Sequence, residues 1–80
     1  MGLKNKDAIN LIRIITKKEM RYNIGNKVRL INQKVIGGIT IPNTSVGIVI
    51  LIDDNLHLYR IDFVEKNNVI VAEVELMDGD

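Results

Sequence analysis

Val46-Gly47-Ile48-Val49-Ile50-Leu51-Ile52 contains no polar side chain and stops at Asp53-Asp54-Asn55. A short, β-branched run bounded by turn residues predicts a strand rather than a helix. Strand side chains alternate between faces. Ile48, Ile50 and Ile52 therefore point one way, and Val49 and Leu51 the other. Neither set is polar, so the strand needs a covering layer on each side.

Downstream of it, Leu56 to Phe63 alternates as a further strand. His57, Tyr59, Ile61 and Phe63 share one face, and Leu56, Leu58, Arg60 and Asp62 share the other. Glu65-Lys66-Asn67-Asn68 reads as a polar hairpin turn, Val69 to Val74 as a strand, and Glu75-Leu76-Met77 as a short final turn or strand. Upstream, Lys27-Val28-Arg29-Leu30-Ile31-Asn32 alternates as the first strand. Lys34 to Thr44, punctuated by Gly37-Gly38 and Ile41-Pro42-Asn43, reads as a long loop. Four or five short strands with a long first connection predict a small, strongly bent barrel. The expected inward set is Val28, Leu30, Ile48, Ile50, Tyr59, Ile61 and Phe63, with Ile70, Ala72 and Val74. Val49, Leu51, Leu58, Val69 and Val71 are left facing outward, an apolar patch too contiguous to stay wet.

Residues 5–20 supply a candidate cover. Ala8, Leu11, Ile12 and Ile15 follow the spacing of one helical face, and Ile9 and Ile14 widen it. Asn5 or Asp7 can cap the first turn, while Lys17, Lys18 and Arg21 suit the negative end of the dipole. An extra strand competes with this reading, because Ile and Thr are middling helix formers. The expected fold is mainly β, an N-terminal helix (residues 5–20) on a five-stranded barrel (residues 21–80), in a single domain. Ile9 and Ile12 with Val49, Leu51, Leu58, Val69 and Val71 then form the candidate partner-binding surface. Helix and patch satisfy each other, or they recruit a protein partner or a second copy. Met20 also raises the option of an internal start, with residues 1–19 as an appended extension.

An 80-residue chain allows one modest core and often leans on oligomerisation or a partner. The absence of cysteine removes disulfides and thiolate metal sites, and the single His57 is too little for a conventional zinc site. No apolar run approaches the roughly 20 residues of a membrane span, and no signal-peptide block is visible, so a cytoplasmic protein is expected. Fourteen Ile, nine Asn and seven Lys suggest an AT-rich gene, which suits a low-GC bacterium, a phage or a plasmid. Net charge is +1, yet residues 1–34 carry nine basic side chains against two acidic ones, and residues 35–80 carry two against eight. Lys17, Lys18, Arg21, Lys27, Arg29 and Lys34 could track phosphates, which makes nucleic acid the alternative partner. The chain has only Tyr22, Tyr59 and Phe63 on which bases could stack. His57 with Asp53 and Asp54 has no placed nucleophile beside it, and Asp53-Asp54-Asn55 is ordinary turn chemistry rather than a calcium loop. Neither an enzyme, a metal site nor a cofactor is expected.

Three stretches carry a family resemblance: Ile24-Gly25-Asn26-Lys27-Val28-Arg29-Leu30, Ile41-Pro42-Asn43-Thr44-Ser45-Val46-Gly47-Ile48-Val49 and Leu58-Tyr59-Arg60-Ile61-Asp62-Phe63. Residues 20–77 resemble the small SH3-like β-barrels of bacteria. These include uncharacterised domain families, the nitrile hydratase β-subunit barrel and the variable chain of ferredoxin–thioredoxin reductase. The resemblance implies a barrel in an accessory, regulatory or inhibitory role that binds another protein. The type II dihydrofolate reductases share this fold, and a Val-Gln-Ile-Tyr run lines their active pore. The comparable run here, Val69-Ile70-Val71-Ala72, has neither the amide nor the phenol, so the resemblance does not carry that activity.

Overall fold

The computed structural model of the chain describes residues 19–80. The helix expected over residues 5–20 therefore lies outside the described residues, apart from Glu19 and Met20, which are irregular. The described chain is mainly β. Its strands are β1 (Lys27–Leu30), β2 (Lys34–Ile36), β3 (Ile39–Ile41), β4 (Gly47–Asp53), β5 (Leu58–Asp62), β6 (Val69–Ala72) and β7 (Leu76–Asp78). A one-turn 3₁₀ helix, Glu73–Glu75, joins the last two. Five strands form an antiparallel sheet in the order β6-β5-β4-β1-β7, and β2 pairs with β3 alone. Among the described residues no ladder joins β6 to β7, so hydrogen bonding does not close the sheet into a barrel.

Lys34 to Thr44, expected as a loop, contains the β2–β3 hairpin instead. Only Gly37 and Gly38 separate its strands, with φ values of 57° and 81°. A two-residue turn matching the strand twist needs positive φ at both positions, and two glycines provide it without strain. Two later turns are fixed by side chains. Asp53 Oδ1 accepts from the N–H groups of Asn55 and Leu56 at 3.1 Å each, and Asp62 Oδ1 accepts from Asn68 N–H at 2.8 Å. Gly25 N–H donates to Val49 O at 2.8 Å and Val49 N–H to Asn26 O at 3.0 Å, tying the leading stretch to β4.

The core gathers Val28, Leu30, Ile41, Val49, Tyr59 and Ile61 with Val69 and Val71 of β6, Leu76 of β7, and Tyr22 and Phe63 from the connections. Each such side chain contributes about 1.5–3 kcal/mol on leaving water. Gly47 is part of this packing, since a Cβ there would lie 2.5 Å from Ile61 Cγ2. Val28, Leu30, Tyr59, Ile61 and Phe63 face inward as expected.

The expected facing of β4 and β6 is overturned. Val49, Val69 and Val71 belong to the core, whereas Ile48, Ile50, Ile70 and Val74 are exposed. On β4 the cause is a bulge. Val49 stands opposite Ile61 and Leu51 opposite Arg60, so Ile50 is an extra residue. An inserted residue resets the alternation, and both Val49 and Ile52 contact the core. On β6 the cause is Glu73, which shares a phase with Val69 and Val71 and is itself buried. The 3₁₀ turn begins there and sends Val74 outward.

Candidate functional site

Residues paired across strands share a face of the sheet. Lys27, Ile48 and Asp62 form one row on the face away from the core, and Leu51, Arg60 and Ile70 form the next. Leu58 pairs with Asp53 and Ala72 in the row beyond, where it is half-buried. Ile48, Ile50, Leu51 and Ile70 are 38%, 36%, 49% and 51% exposed. The face is therefore apolar along β4 and at Ile70, crossed by Lys27 and Arg60 and by the carboxylates Asp62 and Asp53. Arg60 Nη1 donates to Asn68 Oδ1 at 3.3 Å, which holds the guanidinium beside Ile70.

Of the expected partner surface, only Leu51 and Leu58 are on this face. Val49, Val69 and Val71 are buried beneath it, while Ile9 and Ile12 are outside the described residues. Ile48, Ile50 and Ile70 replace the buried valines as the outer apolar groups.

The basic set is scattered. Lys17 and Lys18 are outside the described residues. Lys34 Nζ pairs with Glu75 Oε1 at 2.9 Å, and Arg29 Nε donates to Asp78 O at 3.3 Å. Arg21 and Lys27 line an open cleft of about 540 Å³ together with Asp78 and Asp80. A cleft of mixed sign does not present the continuous positive field that follows a phosphate backbone. Arg21 lies over the Tyr22 ring at 5.9 Å, and its guanidinium is held above its ordinary value, chiefly by Tyr22.

His57 adopts a positive φ of 53° in the β4–β5 turn, and its carbonyl accepts from Glu73 N–H at 3.1 Å. Asp53, its expected carboxylate partner, spends an oxygen on capping the same turn. Among the described residues no group of three or more His, Cys, Asp or Glu side chains could hold a metal ion, and no helix is long and apolar enough to cross a membrane.

A buried polar chain, which the sequence reading missed, runs through the core. Tyr22 N–H donates to Tyr59 Oη at 3.0 Å, and the Tyr59 hydroxyl donates to Glu73 Oε2 at 3.2 Å. The two rings meet edge-on, with centroids 5.7 Å apart. Burial pushes the Tyr59 phenol above its ordinary 10.0, and the neighbouring Glu73 adds to the shift. Glu73 is 6% exposed, and its Oε1 has no hydrogen-bond partner among the described residues. The available signal was Glu73 itself, an acidic residue continuing the phase of the buried Val69 and Val71.

Comparison with protein-family models, curated proteins and solved structures found no match.

Proposed function

We propose that the chain is a small SH3-like barrel module that works by binding a protein partner rather than by catalysis. Its docking surface is the outer face of β4, β5 and β6. The observation that carries the reading is the row of large apolar side chains at Ile48, Ile50, Leu51 and Ile70, exposed by 36–51%. Large apolar groups gathered on one face mark a surface that gains by being covered. Lys27 and Arg60 are matched by Asp62 and Asp53 along that face, so the partner surface is chiefly apolar with a polar border of both signs. The barrel reading is supported by the long connection between β1 and β4, the bulge in β4 and the short later turns. A bulge strengthens twist and bends a sheet toward closure. The role that fits is that of an accessory or regulatory module in the cytoplasm.

Capture from the host extract by the immobilised chain, compared with Ile48→Lys and Ile70→Lys variants, tests this reading. Both variants stay folded by circular dichroism and lose the captured protein. Unchanged capture by the variants overturns the reading. So does an oligonucleotide affinity that falls steeply with salt and disappears in Arg21→Ala/Lys27→Ala. That second outcome would install the nucleic-acid alternative, which has less support because Lys34 and Arg29 are engaged within the fold.

A further inference from the structure

β6 stands at one end of the five-stranded sheet, and among the described residues no strand pairs on its outer side. Its sequence, Val69-Ile70-Val71-Ala72, has none of the charges, prolines or glycines that ordinarily blunt an edge. The opposite edge, β7, carries Asp78. Two hydrogen bonds fix which backbone groups of β6 face outward. Glu73 N–H donates to His57 O at 3.1 Å, on the β5 side, and Ala72 N–H donates to Glu75 Oε2 at 2.9 Å, on the other. Backbone groups of alternate residues in a ladder point the same way, so the N–H and C=O of Ile70 also face away from β5. Glu75 Oε2 thus stands where the carbonyl of an added strand would accept from Ala72. Lys34 Nζ, on Oε1 at 2.9 Å, holds it there.

We propose that the β6 edge is a pairing site for a second copy of this chain, and that the Glu75 side chain is the latch that keeps it shut. The strand matches itself. An antiparallel pair about a twofold at Ile70 sets Ile70 against Ile70 and Val69 against Val71 of the second copy, with no charge facing a like charge. Each Ile70 then exchanges both of its outward backbone bonds, and its side chain, 51% exposed, gains a neighbour. Ala72 meets Asn68 of the second copy, and there Glu75 blocks the incoming carbonyl; by symmetry both ends of the pairing are blocked. Lys34 is the charged group that faces Glu75, while Glu73, two residues earlier, is turned into the core on Tyr59. Burial pushes the Glu75 carboxyl up, yet the bonds from Lys34 and Ala72 hold it below its ordinary 4.5. The latch is therefore closed at neutral pH and opens as pH falls through that folded value. Pairing uses the backbone of the edge rather than the side chains of Ile48 and Ile50, so it goes beyond the proposed function.

Sedimentation velocity of the full chain at neutral pH tests the proposal. Glu75→Ala frees Ala72 N–H in both copies and tightens the dimer dissociation constant by about tenfold relative to the parent. In Glu75→Gln the amide oxygen still accepts from Ala72, so this variant behaves as the parent does at neutral pH. Unlike the parent, it gains no association as pH falls below 4.5. Ile70→Pro removes the outward N–H without breaking a bond to β5, and in the Glu75→Ala background it restores the parent's association. Should the proline variant not fold, amide exchange of Glu75→Ala decides: exchange at Ile70 slows as concentration rises. Equal association of the parent and Glu75→Ala overturns the proposal. So does exchange at Ile70 that is slow in the parent at every concentration, or association that survives Ile70→Pro and is abolished by Ile48→Lys. Ile48→Lys removes capture of an external partner and leaves the edge pairing intact, which keeps the two readings separable.

Discussion

On β4, Val49 is fully buried while its neighbours Ile48 and Ile50 are 38% and 36% exposed; on β6, Val71 is 1% exposed and Ile70 51%. The inner and outer faces of the sheet are thus built from nearly the same side chains. Hydrophobicity alone cannot separate them. What separates them is local: a bulge at Ile50, an absent Cβ at Gly47 and a buried carboxylate at Glu73. The inner face uses its apolar groups to close the core, and the outer face retains a comparable set with nothing from β1–β7 laid over it.

The sharpest way to break this comparison is to put the same charge on each face. Val49→Lys places an unpaired ammonium in the core, which costs several kcal/mol. Native domains hold only about 0.05–0.15 kcal/mol per residue in total, so this variant loses its cooperative urea transition. Ile48→Lys, one residue away, changes the unfolding free energy by no more than about 0.5 kcal/mol. Equal losses from the two would abolish the distinction between the faces.

Tyr59→Phe comes next. It keeps the ring but leaves Tyr22 N–H and Glu73 Oε2 without partners, at about 3 kcal/mol together. The phenol also sets an alkaline limit. Its folded value is raised above 10.0 by burial, so its contribution is complete below pH 10 and is lost as pH rises through the folded value. Denaturant titrations of the parent therefore weaken above pH 10, and those of Tyr59→Phe do not show that fall. Gly47→Ala follows, at about 1–3 kcal/mol for overpacking, because its new methyl would meet Ile61 Cγ2 at 2.5 Å and Phe63 Cε1 at 2.8 Å. A neutral result there would mean that β5 moves away from β4 more freely than the buried ladder implies.

The element positions were legible because their signals are one-sided. Tyr59, Ile61 and Phe63 alternate with Arg60 and Asp62, so β5 could face only one way, and it does. Asp53 and the Asn67-Asn68 pair announced their turns through the chemistry they perform. β4 offered no such contrast, since both of its phases are apolar and one inserted residue changes the answer. β6 misled as well. Val69 and Val71 were expected to face outward, whereas they are buried, as is Glu73 in the same phase, packed against Tyr59 where the chain leaves the strand. Val35-Ile36-Gly37-Gly38-Ile39-Thr40 did hold a hairpin signal, two glycines between β-branched residues, which a reading of glycine as loop punctuation passed over. The candidate surface was half visible. Leu51 and Leu58 were placed outward correctly, but three other exposed members, Ile48, Ile50 and Ile70, had been assigned to the interior.

The smallest expected effect concerns how the β2–β3 hairpin is held to the sheet. Glu75 Oε1 accepts from Lys34 on β2 at 2.9 Å, and Oε2 accepts from Ala72 N–H at 2.9 Å. Ala72 belongs to an edge strand, where an unpaired donor invites another chain. Burial pushes the Glu75 carboxyl up, yet the hydrogen bonds from Lys34 and Ala72 outweigh it and hold the group below its ordinary 4.5. A depressed folded value means that the contribution is present above pH 4.5 and is lost as pH falls through that folded value. The two side chains are 32% and 39% exposed, so solvent screens the pair; about 0.2–1 kcal/mol is expected. Glu75→Gln should therefore remove a small acid-side loss of stability while leaving the neutral-pH sheet intact. Hydrogen exchange should report the change first at Val35 and Thr40, since the hairpin has no ladder to the five-stranded sheet. An unchanged acid slope in Glu75→Gln would mean that the hairpin is held by Ile36 and Ile41 against the core, with the ion pair adding nothing.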